Sequence, residues 1–116
     1  MGDKRNLEIW NLSMNLTVMI YNFVKKLPKN EQFNLIDQLK RCAVSIPSNI
    51  AEGNDRGSNK DFIRFLYISL GSLSELETQL FLTEKIGYVS YEEIEEILLL
   101  CSEIGKKINT LIKRIS

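Results

Sequence analysis

The side chains able to do chemistry in this 116-residue chain gather in one stretch, "RCAVSIPSNIAEG" (residues 41–53), and in the turn after it. Arg41, Ser45, Ser48 and Glu52 recur at steps of three or four residues, which on a helix makes one polar stripe. A serine between an arginine and a glutamate becomes a nucleophile only with a base in hydrogen-bond reach. None is in sight, and the chain has no histidine, so Ser-His-Asp hydrolysis is excluded and we expect no enzyme. Beyond Gly53, the residues Arg56, Lys60 and Arg64 follow at four-residue steps, and Lys40 and Arg41 stand before the serines. Brought together in an assembly, these five would form a basic face suited to phosphate. The competing reading is ordinary solvated charge beside Asp55 and Asp61.

The two cysteines, Cys42 and Cys101, fall on apolar stripes and cannot build a zinc site alone, and histidine, the commonest metal ligand, is absent. There is no secretory signal, and no apolar run reaches the roughly 18 residues of a membrane span. The expectation is a cytoplasmic protein with two reduced core thiols, no metal, no cofactor and no membrane contact.

The elements that must position these residues are helices. Apolar residues make up 44 % of the chain and prolines number only two, a composition that suits one mostly helical domain spanning residues 1–116. Leu7, Trp10, Met14, Val18 and Tyr21 recur at helical spacing up to Leu27-Pro28, predicting a helix over about 6–26. Leu35, Leu39, Cys42, Ile46 and Ile50 predict a second over about 30–53, ended by Gly53 as a C-terminal cap. Pro47 lies inside it and should bend it, because it removes the bond to the Ala43 carbonyl, while serine and asparagine offer local replacements. Ser58 with Asp61, and Ser90 with Glu93, have capping-box spacing and open helices over about 59–86 and 90–114. Short connections make neighbours antiparallel, so the expected fold is an all-α, up-down-up-down four-helix bundle. The aromatic residues, mostly on the apolar stripes, read as core.

Two surface features go beyond a lone bundle. With Leu73 set at zero and about 100° per residue, the third helix's core row lies within about 80°, yet Ile68, Gly71 and Leu82 point nearly the opposite way. A helix apolar on two faces predicts a homo-oligomer, with Ile68 and Gly71 at the contact. The 15 basic and 15 acidic side chains cancel, but residues 1–64 carry a net +3 and residues 65–116 a net −3. That polarity falls short of the strong basic footprint of most nucleic-acid binders.

"RCAVSIPSNIAEG", followed by "FIRFLYISLGSLSELETQL", with Trp10 in the first helix and "IGYVS" between the last two, resembles the four-helix bundle family encoded in intervening sequences of bacterial 23S ribosomal RNA genes. That family includes the accessory variability proteins of diversity-generating retroelements. The resemblance implies a homopentameric, barrel-like ring with a central pore and no enzymatic activity. For the retroelement members it also implies binding to a reverse transcriptase and to nucleic acid. Mapped onto this chain, it makes Arg41, Ser45, Pro47, Ser48, Asn49, Glu52 and Gly53 structural or subunit-contact residues, with Arg56 the best exposed candidate. The zero net charge departs from the retroelement members and weakens the nucleic-acid side of the comparison. The expected function is a non-enzymatic oligomeric adaptor that binds RNA or DNA, or a nucleic-acid enzyme, through Lys40, Arg41, Arg56, Lys60 and Arg64. The alternative is a protein-interaction scaffold that binds no nucleic acid.

Overall fold

Proline, glycine and capping side chains set where the helices end. The structure, a computed structural model, describes residues 2–116. Among them the chain is all-α, with four α-helices and no strand: α1 Glu8–Phe23, α2 Leu35–Asp55, α3 Asn59–Ile86 and α4 Tyr91–Ile115. Cross-helix contacts run in opposite register. Thr17 meets Ala43 while Tyr21 meets Lys40, Ser45 meets Ser72 while Gln38 meets Gln79, and Glu8 pairs with Lys107 while Lys26 pairs with Glu93. Each helix is therefore antiparallel to the next, and α4 returns beside α1. Leu16, Ile20, Leu39, Ile46, Leu66, Leu76, Ile94, Ile104 and Ile108 are fully buried between them. Among the described residues, no helix is long and apolar enough to cross a membrane.

Three boundaries differ from the sequence expectation, each for a local reason. The first helix gives way after Phe23 to a 3₁₀ turn, Val24–Lys26, because Leu27 must be extended before Pro28. The second starts at Leu35 rather than near residue 30. Residues 29–31 form a separate 3₁₀ turn, held in place by the Glu31 carboxylate, which accepts from the Tyr88 hydroxyl at 2.6 Å, Asn34 Nδ2 at 3.2 Å and the Leu35 N–H at 3.4 Å.

Those bonds, the one from Tyr88 foremost, lower the Glu31 pKa below the ordinary 4.5. A carboxylate with a depressed folded pKa stabilises fully above its unfolded value, and that contribution disappears as pH falls through the folded one. Urea unfolding of wild type and Tyr88→Phe should therefore differ at neutral pH and converge in acid, once the pH has fallen through the lowered folded pKa of Glu31. A difference that persists unchanged at low pH would remove Glu31 from the account.

Gly53 does not end α2. The helix continues to Asp55, and the left-handed residue beyond it is Gly57, at φ 86°. Gly53 instead marks a close approach of α2 to α3, facing Phe62 and Phe65. Around Pro47 the helix is unbroken. The Ala43 carbonyl that proline orphans accepts from Thr17 Oγ1 on α1 at 3.2 Å, a proton that Thr17 also shares with the Ser13 carbonyl at 2.9 Å. One turn away, Ser69 Oγ of α3 donates to the Ile46 carbonyl at 3.0 Å and Asn49 Nδ2 to the Ser45 carbonyl at 2.7 Å.

The proline is thus accommodated by α1 and α3 as well as by α2 itself. Thr17→Val is isosteric but leaves the buried Ala43 oxygen without a partner, an expected loss of about 1–3 kcal/mol. Pro47→Ala restores an N–H to that oxygen, so the same threonine substitution should cost clearly less in the Pro47→Ala background. Chemical unfolding of the four proteins of this cycle measures the coupling; additive losses would contradict it.

Candidate functional site

The α2–α3 hairpin carries three of the five basic residues singled out by the sequence. Arg56 closes α2, Gly57 turns the chain, and the Ser58 hydroxyl accepts from the Asp61 N–H at 3.2 Å to start α3, which then presents Lys60 and Arg64. Phe65 organises the group. It is buried, and the guanidinium carbons of Arg56 and Arg64 lie 5.0 and 4.7 Å from its ring centroid. Cation–π contact at this range restrains two long side chains without neutralising them.

Charge partners at this end are light. Arg56 pairs with Glu52 at 3.1 Å, Arg64 reaches Asp61 only at 3.9 Å, and Lys60 has no ion pair among the described residues. These exposed pairs contribute little to stability and leave the arginine edges open to an anion. The basic surface also extends further than the sequence reading proposed. Asn59 Nδ2 donates to the Ile115 carbonyl at 3.4 Å, which brings the end of α4, with Lys113 and Arg114, beside the start of α3. The signal was available in the antiparallel order, which places the last turn of α4 next to the first turn of α3.

Lys40 and Arg41 are not part of this end. Fifteen residues of helix separate Arg41 from Arg56, roughly 22 Å at ~1.5 Å per residue. Arg41 is exposed and paired with Asp37 at 2.9 Å, and the Lys40 ammonium sits 4.9 Å from the Tyr21 ring centroid. One chain therefore carries two separate basic regions.

The polar stripe of α2 is spent largely on structure. Ser45 Oγ donates to the Cys42 carbonyl at 2.6 Å and lies 2.7 Å from Ser72 Oγ, with no basic group as partner. Pro47 and Gly53 are buried, and Asn49 bonds within its own helix. Ser48 and Glu52 face outward, and Glu52 pairs with Arg56 rather than with Arg41. Both cysteines are buried and free. Burial, with Glu75 near Cys42 and Glu77 near Cys101, pushes both thiols up to about 12, which keeps them protonated and unreactive. Among the described residues, no cluster of histidine, cysteine or carboxylate has a metal-binding arrangement.

The outer face of α3 carries several large apolar residues among its polar ones, with Tyr67, Ile68, Phe81, Leu82 and Ile86 each more than two fifths exposed. A methyl group built on Gly71 would meet nothing within 4 Å, so the middle of this face is open in the single chain. The aromatic residues are less confined to the core than the sequence suggested. Phe23, Phe62 and Phe65 are buried, but Tyr21, Phe33, Tyr67, Phe81 and Tyr91 are exposed, Phe33 by 90 %. Their helical spacing was compatible with either placement, because a four-helix bundle has more apolar positions here than one core can cover.

Residues 5–110 match the model of a family described as 23S rRNA-intervening sequence protein. Among solved structures, a Bacteroides thetaiotaomicron protein of unknown function from the S23 ribosomal protein family superposes with a TM-score of 0.83 and 32 % identity, over 90 % of this chain and 98 % of that one. A comparison with curated proteins finds no match.

Proposed function

Because this chain belongs to the 23S rRNA-intervening sequence protein family, we propose that it is a non-enzymatic, cytoplasmic adaptor that assembles with copies of itself and binds structured nucleic acid. A nucleic-acid-processing enzyme such as a reverse transcriptase is the matching protein partner. The observation that carries this reading is the hairpin end, where Phe65 holds Arg56 and Arg64 and Lys60 has no ion pair among the described residues. Restrained guanidiniums with weak internal partners suit phosphate, and they position a backbone without reading its sequence. Assembly is supported by the exposed apolar residues on the outer face of α3 around Gly71. A heterologous contact between copies generates a ring where its rotation closes. Five subunits is the number that the family resemblance implies.

Charge reversal tests the interface. Arg56→Glu with Lys60→Glu should leave the assembly intact and weaken binding to a ribosomal RNA hairpin by at least about ten-fold near 0.1 M salt. Unchanged affinity would remove these residues from the site. A second reading, a protein-interaction scaffold with no nucleic-acid binding, is favoured by the same α3 face and by the cancelling charges of the chain.

A further inference from the structure

At the opposite end of the bundle from the hairpin, the end of α1, the connection over residues 24–32 and the start of α2 line a shallow, open groove of about 530 Å³. Lys25, Lys29, Lys40 and Tyr21 line it together with the apolar side chains of Leu27 and Ile36. No carboxylate lines it, and among the described residues none of the three lysines is in an ion pair. In a chain whose charges cancel overall, three unpaired lysines in one concavity form a local positive well. The neighbouring hollow on the far side of Tyr21 and Lys40 differs, since there Asp37 and Arg41 neutralise each other at 2.9 Å.

Tyr21 is 44 % exposed in this groove with the Lys40 ammonium 4.9 Å from its ring centroid, so a base stacks on the ring as Lys40 turns outward to a phosphate. Phe33, next in sequence to the lining residue Gln32, is 90 % exposed. Aromatic surface beside unpaired lysines matches a ligand that carries flat rings and phosphates together. A duplex hides its rings, whereas a single strand offers them, and base stacking with phosphate neutralisation is the general chemistry of single-strand binding. We propose that this groove binds single-stranded nucleic acid, with phosphates on Lys25, Lys29 and Lys40 and a base stacked against Tyr21. The groove deepens the nucleic-acid reading, which rests on the hairpin end, and the two sites fail separately.

The test uses a short single-stranded oligonucleotide with 2-aminopurine at its centre, titrated against the full-length protein at several salt concentrations. Wild type should quench the probe on binding. Tyr21→Leu, which keeps an apolar side chain at a surface position, should abolish the quenching and weaken binding about ten-fold. The Lys25→Gln, Lys29→Gln, Lys40→Gln triple variant should flatten the slope of log K against log salt by about 2. Arg56→Glu with Lys60→Glu should leave the quenching in place. Far-UV circular dichroism and the retained RNA-hairpin binding of the groove variants separate loss of the site from loss of the fold. Full quenching by Tyr21→Leu overturns the proposal, as does displacement of the strand by polyglutamate as readily as by unlabelled oligonucleotide. A protein that binds the structured hairpin but no single strand loses the groove and keeps the hairpin end; one that binds neither loses both.

Discussion

Gly53→Ala is expected to lower the stability of the bundle by about 2 kcal/mol. The sign is the informative part, because at an ordinary helix position the same exchange stabilises by about 0.5–1 kcal/mol. Here the added Cβ would lie 2.6 Å from Phe65 Cβ and 3.1 Å from Phe62 Cδ1. A ring carbon can rotate away, but a Cβ is fixed to the α3 backbone. Relief therefore requires α2 and α3 to separate beside Gly53, working against the bonds that tie the two helices about two turns further on, Ser69 to Ile46 and Ser45 to Ser72. Urea unfolding of the variant against wild type measures it, and an unchanged or raised midpoint would contradict the close approach.

Ile68→Arg is expected to break the proposed assembly. Ile68 lies on the open outer face of α3, 43 % exposed in the single chain, so arginine there is harmless to the bundle itself. In a subunit contact the same guanidinium would be desolvated without a partner, at a cost of about 3 kcal/mol or more for each interface. Light scattering should then report a folded species near 13.4 kDa in place of a multiple of it. An assembly of wild-type size would clear the α3 face of any role in self-association.

The sequence made the helices legible because its apolar stripes, its capping serines and Leu27-Pro28 all point the same way. Gly53 was misread because a glycine after a periodic run looks like a cap. Its actual neighbours, Phe62 and Phe65, lie on the next helix and become relevant only once α2 and α3 are packed. The relief of Pro47 was legible in part: Ser45 and Asn49 are local, whereas Thr17, which takes up the freed oxygen, lies 26 residues earlier in the chain. Among the basic residues, Arg56, Lys60 and Arg64 were readable from their spacing alone. Lys40 and Arg41 lie roughly 22 Å from them along one chain, a distance that helical rise gives, so a face shared by all five requires neighbouring copies. Lys25 and Lys29 were not singled out, since only the folding of residues 24–34 back against α2 brings them near Lys40.

The central claim is that the hairpin end of this protein contacts phosphate. Fluorescence anisotropy of a structured ribosomal RNA hairpin and a matched DNA, titrated with the protein across salt, tests it most directly. Counterion release by Arg56, Lys60 and Arg64 predicts binding whose logarithm falls linearly with log salt, with a slope of about −2 to −3 per protomer engaged. Absence of binding even at low salt, or binding that ignores salt, would contradict the claim and leave the protein-interaction scaffold as the reading of this chain.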